Sequence, residues 1–327
     1  MKKLIASLFA LVVIAGAARA ETVTPLVSVD WVKDHIGEPG IVFLDVRGEL
    51  DGATKQTYLD GHIPGAIWTD YLKDGWRTQD GNGTIAQLST VDTLETTIGN
   101  LGIENEHHVV IVPAGKTALD MGTATRIYWT FKVVGHDAVS ILNGGMQAYT
   151  AEIDEKTKQP LNPLEKGEVK LAPTIFSAEL REDMIVNKTD MAAAATAGEV
   201  IVDNRPQDQF LGLNKHGKAK RAGTIPGARN LPENWLTQNG GTFRDRDTIS
   251  KLYTMAGIPT EGAQISFCNT GHWASLGWFV SQEILGNENA KMYDGSMVEW
   301  SADPKLPVDS ALENQTGGAE KLTQLIQ

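Results

Sequence analysis

The 327-residue chain contains a single cysteine. An intramolecular disulfide is thereby excluded, and so is a Cys-x-x-Cys redox relay. Positive charge is scarce as well: 29 Lys and Arg stand against 41 Asp and Glu, a formal net charge of −12. A chain this acidic is a poor partner for nucleic acid or anionic lipid, both of which select basic surfaces. Past the N-terminus no apolar run approaches the roughly 20 residues that span a bilayer. Nor is there a convergent metal-ligand set. His107 and His108 are adjacent, and adjacent strand residues point to opposite faces, so no metal site is expected.

What is present begins with an export pattern. Lys2 and Lys3 precede an apolar run from Leu4 to Ala17, and Ala18-Arg19-Ala20 follows with small residues at the positions a signal peptidase reads. Residues 1–20 are expected to be removed. Loss of Lys2, Lys3 and Arg19 takes the charge from −12 to about −15. The expected location is the bacterial periplasm, with no membrane attachment after cleavage.

The remaining chain carries one plan twice. Ile41 to Val46 followed by Arg47 gives an apolar run ending in Asp45-x-Arg47, and Val200 to Arg205 gives another ending in Asp203-x-Arg205. Gly61-His62-Ile63-Pro64-Gly65-Ala66 is matched by Gly223-Thr224-Ile225-Pro226-Gly227-Ala228. The β-rich Val109–Val112 parallels Ile265–Phe267, and Leu142–Met146 parallels Tyr293–Met297. Four landmarks recur in one order, which indicates duplication. Helical patterns over Thr123–Val134 and Ala274–Leu285, stopped by Gly135 and Gly286, alternate with the strands. The expected fold class is α/β: two tandem doubly wound domains, each a mainly parallel sheet flanked by helices. The expected boundaries are 21–150 for the first domain, 151–172 for a polar linker, 173–307 for the second domain and 308–327 for a tail, with a short helix at Glu320–Ile326.

Cys268 follows the strand-like Gln264–Phe267 and precedes Asn269-Thr270-Gly271-His272-Trp273, where a helix begins. Ligands of parallel sheets gather at strand C-terminal ends. Free amides and the positive end of a helix stabilise an anion there, and a thiolate is such an anion. Gly271 lets the loop curl so that its amides turn inward. The alternatives are a buried, inert thiol and one that bridges two chains. Composition does not choose among the three, and the position on this loop favours a nucleophile.

Taken together, Cys268-x-x-Gly271 after a strand, Asp-x-Arg and Gly-x-Ile-Pro-Gly-Ala upstream and Tyr293-Asp294-Gly295-Ser296 downstream resemble the rhodanese family, over nearly all of the chain beyond residue 20. The resemblance implies a sulfurtransferase. A sulfane sulfur passes from a donor such as thiosulfate or mercaptopyruvate to Cys268, and the persulfide passes it to a thiophilic acceptor such as cyanide, a thiol or a protein. It implies neither metal nor organic cofactor, and a monomer is expected. Cys268 matches the family nucleophile, and Asn269, Thr270, Gly271, His272 and Trp273 match the loop that cradles the persulfide. Asp203 and Arg205 match a charged pair that either supports the loop or simply closes a strand end. The first copy has Pro113-Ala114-Gly115-Lys116 in place of Cys268–Gly271, and proline offers neither thiol nor amide donor. The first domain is therefore expected to be inactive and to form one wall of the cleft.

The pattern departs from the family in its charge. The loop has no Lys or Arg, and Gln209 stands where an arginine often precedes aromatic-Leu-Gly. Gln209 is a candidate substrate contact. Lys215, His216, Lys218, Lys220 and Arg221 either supply the missing charge or form a solvated loop. His272 is either a proton donor to the leaving group or an exposed loop histidine, and Trp273 either walls the pocket or packs under the helix. A cysteine phosphatase is disfavoured, because the arginine of Cys-x5-Arg would fall on Ala274. The remaining alternative is a non-enzymatic sulfur carrier or binding module for an exported partner protein.

Overall fold

The short β-rich runs become strands because they are apolar on both faces and find helices on both sides. A computed structural model describes residues 23–311. The segment read as an export signal and the helix expected at 320–326 lie outside them. In the N-terminal half, β1 (Leu26–Val27), β2 (Ile41–Asp45) and β3 (Ile67–Trp68) are followed by a small hairpin, β4 (Arg77–Thr78) with β5 (Gln87–Leu88), and then by β6 (His108–Val112) and β7 (Val139–Leu142). In the C-terminal half, β8 (Ile185–Val186), β9 (Val200–Asp203) and β10 (Arg229–Asn230) precede a second hairpin, β11 (Thr237–Gln238) with β12 (Thr242–Phe243), and then β13 (Gln264–Phe267) and β14 (Ala290–Tyr293).

The two large sheets are parallel throughout and have one topology, β1-β7-β6-β2-β3 and β8-β14-β13-β9-β10. The duplication is thus one of fold and register. The turns repeat too. Gly65 and Gly227, each after the proline of Ile-Pro-Gly-Ala, have φ of +79° and +80°, values that only glycine adopts freely. Arg47 grips the Asp45 carboxylate and donates to the Gly61 carbonyl at 2.8 Å, and Arg205 does the same with Asp203 and the Gly223 carbonyl at 2.8 Å.

The domains share a core. The Ala118–Val133 helix of the first packs on the His272–Phe279 helix of the second, with Tyr128 edge-on to Phe279 at 4.9 Å and the Thr125 and Ser275 hydroxyls 2.9 Å apart. The sequence pattern suggested an amphipathic helix over Thr123–Val134. The helix starts five residues earlier and is buried on nearly every side, because its second face meets the other domain. After Phe279 the partner helix relaxes into a π-helical turn, Val280–Ile284, and ends before Gly286. The polar 151–172 segment is strapped to the first domain: the His62 and Glu165 backbones pair, and Tyr149 and Asn162 tie its middle down. Among the described residues no helix is long and apolar enough to cross a membrane.

Candidate active site

Two equivalent loops, built on the same plan, have had opposite fates. Each follows a central strand and leads into the long interdomain helix of its domain. In the first, the Met146 amide donates to the Pro113 carbonyl at 2.9 Å, and in the second the Met297 amide donates to the Cys268 carbonyl at 3.0 Å. Pro113 and Cys268 are therefore structural equivalents, as the spacing of the repeat suggested.

In the first domain the loop is filled from within. Asp120 accepts hydrogen bonds from the Lys116 and Thr117 amides at 2.8 and 2.7 Å, so a carboxylate of the chain occupies the place of a bound anion. Gly240 and Gly241, from the β11–β12 hairpin of the other domain, press against Gly115 and Lys116 so closely that a Cβ on either glycine would strike their backbone. Pro113 itself is buried.

In the second domain the residue equivalent to Asp120 is Ser275, whose hydroxyl turns away to the His272 carbonyl and Thr125. Gly271 (φ +72°) caps the helix and offers no side chain, so no carboxylate closes the amides of this loop. The Thr270 amide points at Cys268 Sγ, 3.5 Å away. Ser296 pins the loop from beneath. Its Oγ accepts from the Cys268 and Gly271 amides at 3.0 and 3.2 Å and donates to the Tyr293 carbonyl at 2.9 Å. Ser296 does this from φ +50°, a left-handed backbone rarely tolerated outside glycine. Strain held at such a point marks a site that the surrounding structure over-determines.

Cys268 is only 1 % exposed, and what reaches it is a cavity of about 260 Å³ between the domains. Leu50, Arg77, Ile85, Ala86 and Leu119 come from the first domain, and His216 and Trp273 join the loop from the second. The first domain does form a wall of the cleft. It does so through the β4–β5 hairpin, the counterpart of the hairpin that plugs the other loop. The Leu88 amide donates to the Asp294 carboxylate at 2.6 Å, and in mirror fashion the Phe243 amide donates to the Asn143 side chain at 2.9 Å. Asp294 also pairs with the buried Arg126 at 2.5 Å, so one carboxylate latches both a hairpin and a helix of the first domain beside the loop.

The sequence candidates sort as follows. Cys268, Asn269, Thr270, His272 and Trp273 line the cavity, while Gly271 lies behind it, where any Cβ would collide with Arg126 and Asp294. His272 is buried rather than exposed. Its Nε2–H donates to the Leu119 carbonyl at 2.7 Å and its Nδ1 accepts from the Tyr71 hydroxyl at 3.2 Å. Burial, with the charges of Arg77 and Arg126, lowers its pKa to about 3. A neutral ring with both nitrogens engaged is an interdomain strut and a poor proton donor. Trp273 lines the cavity and also packs against the core. Gln209 accepts from Asn269 Nδ2 at 2.8 Å and so braces the loop. Asp203 and Arg205 direct their hydrogen bonds to each other and to the Gly223–Thr224 turn, the arrangement found in the other domain, and Arg205 reaches the loop only through the Phe267 ring.

Of the basic cluster, only His216 reaches the cavity. Lys215, Lys218 and Lys220 are exposed, and Arg221 is spent on the Leu306 and Asp303 carbonyls. The arginine of the cavity lining is instead Arg77, 191 positions before Cys268 in the chain. Sequence reasoning passed over it, along with Arg126, because neither sits in a repeated motif. Ser296 was visible as part of Tyr-Asp-Gly-Ser, but nothing local says that its hydroxyl holds the cysteine loop.

Comparison with known proteins agrees with this plan. A family model described as the rhodanese-like domain matches residues 28–152 and again 187–303. A Mycolicibacterium smegmatis protein provisionally named thiosulfate sulfurtransferase is 30 % identical, the match covering 87 % of this chain and 97 % of that one. The 3-mercaptopyruvate sulfurtransferase of Escherichia coli K12 is 29 % identical, over 88 % and 98 %. The crystal structure of SseA, a 3-mercaptopyruvate sulfotransferase from Escherichia coli, superposes with a TM-score of 0.69 at 27 % identity, covering 84 % of this chain and 98 % of that one.

Proposed function

The chain belongs to the rhodanese family and is a sulfurtransferase, and from that premise we propose that the sulfur is carried on Cys268 alone. The observation that supports this most directly is the contrast between the loops: one offers a thiol with the Thr270 amide pointing at it, and the other has a proline, an internal carboxylate and a glycine plug.

The steps follow from the geometry. The Cys268 thiolate attacks the outer sulfur of the donor. The bond from that sulfur to the rest of the donor breaks, and the remainder leaves with the electron pair. The persulfide then projects into the cavity beside the Thr270 amide, which steadies charge on sulfur. A thiophilic nucleophile attacks the outer sulfur, forms its own bond to it and returns Cys268 as thiolate. Ser296 and Gln209 hold the loop, and His272 holds the domains together at its edge. None of these groups needs to transfer a proton.

Intact-mass measurement after incubation with thiosulfate, with mercaptopyruvate and without donor tests the reading. The expected result is a gain of one sulfur atom, reversed by cyanide and absent from Cys268→Ser. Full turnover by Cys268→Ser would sink it. We propose further that the protein is exported after removal of residues 1–20, on the order of basic, apolar and small residues there. A periplasmic fraction yielding protein that begins at Glu21 is the corresponding observation.

A further inference from the structure

The two copies differ in charge at one equivalent segment, which joins the arginine of Asp-x-Arg to the Ile-Pro-Gly-Ala turn. Residues 48–60 of the first hold Glu49, Asp51 and Asp60 against Lys55 alone. Residues 206–222 of the second hold Asp208 alone against Lys215, Lys218, Lys220 and Arg221. On a chain of net charge −12, the sign has reversed in the copy that keeps the thiol. The basic segment is also braced. The Ala311 amide donates to the Leu211 carbonyl at 3.0 Å, and Thr224 and Asp309 exchange backbone hydrogen bonds at 2.8 and 2.9 Å, so one strap clamps both ends. Arg221 donates to the Ser301, Leu306 and Asp303 carbonyls, and the Lys220 amide to Ser301 Oγ at 2.8 Å. Between these anchors His216 joins the lining of the Cys268 cavity, while Lys215, Lys218 and Lys220 stay outside it and exposed. Burial, followed by the charges of Lys218 and Lys215, lowers the pKa of His216, so both ammonium groups act on the lining. Among the described residues no carboxylate pairs with any of the three lysines. Leu50 lines the same cavity from between Glu49 and Asp51, so the two domains bring opposite charge to its edge.

We propose that the 213–220 loop docks an acidic polypeptide segment of a protein sulfur acceptor, which brings its own cysteine to the Cys268 persulfide. The inference rests on sulfur transfer at Cys268 and adds the acceptor and its line of approach. Cys268 is 1 % exposed, so an acceptor thiol must enter the cavity and whatever carries it must cross the rim. A small molecule inside the cavity meets only His216 of this loop. The lysines stand where a longer ligand passes, and charges so placed raise the rate of encounter with a segment of opposite sign. Three lysines beside the exposed Glu49 make a poor track for nucleic acid, whose affinity grows with the number of phosphates neutralised. In the transfer the acceptor thiolate forms a bond to the outer sulfur of the protonated persulfide. The bond from that sulfur to Cys268 breaks, and its electron pair leaves on Cys268 as thiolate. The proton stays on the outer sulfur, now part of the acceptor's persulfide.

Two synthetic peptides test the surface, a cysteine followed by a run of glutamates and a cysteine followed by a run of glutamines. Protein loaded with sulfur from thiosulfate or mercaptopyruvate is mixed with each, and transfer is followed by intact mass of protein and peptide. The ratio of the two rates is compared between wild type and a variant carrying Lys215→Gln, Lys218→Gln and Lys220→Gln, which cancels the intrinsic difference between the peptide thiols. Thermal melting checks folding. The ratio should fall about tenfold in the triple variant, and in wild type it should fall with added salt. Lys156→Gln with Lys158→Gln, the same kind of change on the linker, should leave it in place. The ratio for mercaptoacetate over mercaptoethanol, a small anionic thiol over a neutral one, should change less than about twofold in the triple variant.

A second readout needs no sulfur transfer. A dye-labelled glutamate peptide with serine in place of its cysteine should bind wild type by fluorescence anisotropy, and about tenfold more weakly the triple variant. An unchanged peptide ratio in a folded triple variant, or peptide binding that does not depend on the loop, overturns the proposal. So does a mercaptoacetate ratio that falls as far as the peptide ratio, since the loop would then serve a small anion. An oligothymidine that displaces the peptide at lower concentration than the unlabelled peptide itself points to nucleic acid and overturns it too. If no donor loads the wild type while the labelled peptide still binds through the loop, sulfur transfer fails and the docking surface stands.

Discussion

Ser296 Oγ accepts the Cys268 amide at 3.0 Å from a backbone held at φ +50°. One hydroxyl therefore fixes the Cys268 loop, and a strained residue supplies it. Ser296→Ala should lower the rate of persulfide formation about tenfold and cost about 1–2 kcal/mol of stability, since two buried amides lose their acceptor. Ser296→Gly relieves the backbone but still lacks the hydroxyl, so its rate should be no better than that of the alanine variant. Single-turnover mass spectrometry and denaturant melts of both variants provide the check. A glycine variant with wild-type rate would show that backbone shape, not the hydroxyl, sets the loop.

The vestigial loop makes its own prediction. In a Pro113→Cys variant that also carries Cys268→Ser, a thiol stands at the equivalent strand end. It should not take up sulfur from any donor, because Asp120 holds the amides and Gly240–Gly241 fill the space. A sulfur adduct at position 113 by intact mass would contradict this. Pro113→Ala alone should leave turnover nearly unchanged.

The latch between the domains is a buried ion pair. Removing one partner, in Asp294→Asn or Arg126→Met, leaves the other group without its counter-charge. Each variant should lose about 3–5 kcal/mol. The double variant should lose less than the two singles combined, which a double-mutant cycle in urea measures.

Acid sensitivity should come in part from His272. Its folded pKa of about 3 lies below the ordinary value of 6.5. The unfolded chain therefore takes up a proton in a range where the folded one refuses it. Stability falls as pH drops from about 6.5 towards 3, by roughly 3–5 kcal/mol from this group. His272→Gln, which keeps a donor towards Leu119, should flatten that part of the stability curve. Denaturant melts between pH 4 and 8 give the comparison, and equal slopes in variant and wild type would refute the assignment.

Much of the fold was legible because its signals are local. Apolar runs such as Val200–Asp203 with their following turns announced strands, and Gly227 after Pro226 announced its left-handed turn. Cys268 was legible from its place between a strand and a helix. The wrong expectations share one cause. An exposed loop position, one of the two readings of His272, and a one-sided helix at Thr123–Val134 hold only while the other domain is left out of account. Docking the domains buries both.

By itself, the sequence determined the duplicated α/β plan, the single thiol and the proline that stands in its place in the first copy. Each of these depends on residue type and on spacing over a few positions. The tertiary structure decided where the charge lies and what the cavity admits. Arg126 meets Asp294, and Arg77 meets the Cys268 loop across the cavity, only when two domains close on each other. A side chain 191 positions away leaves no periodic or local trace in the chain that it will come to serve.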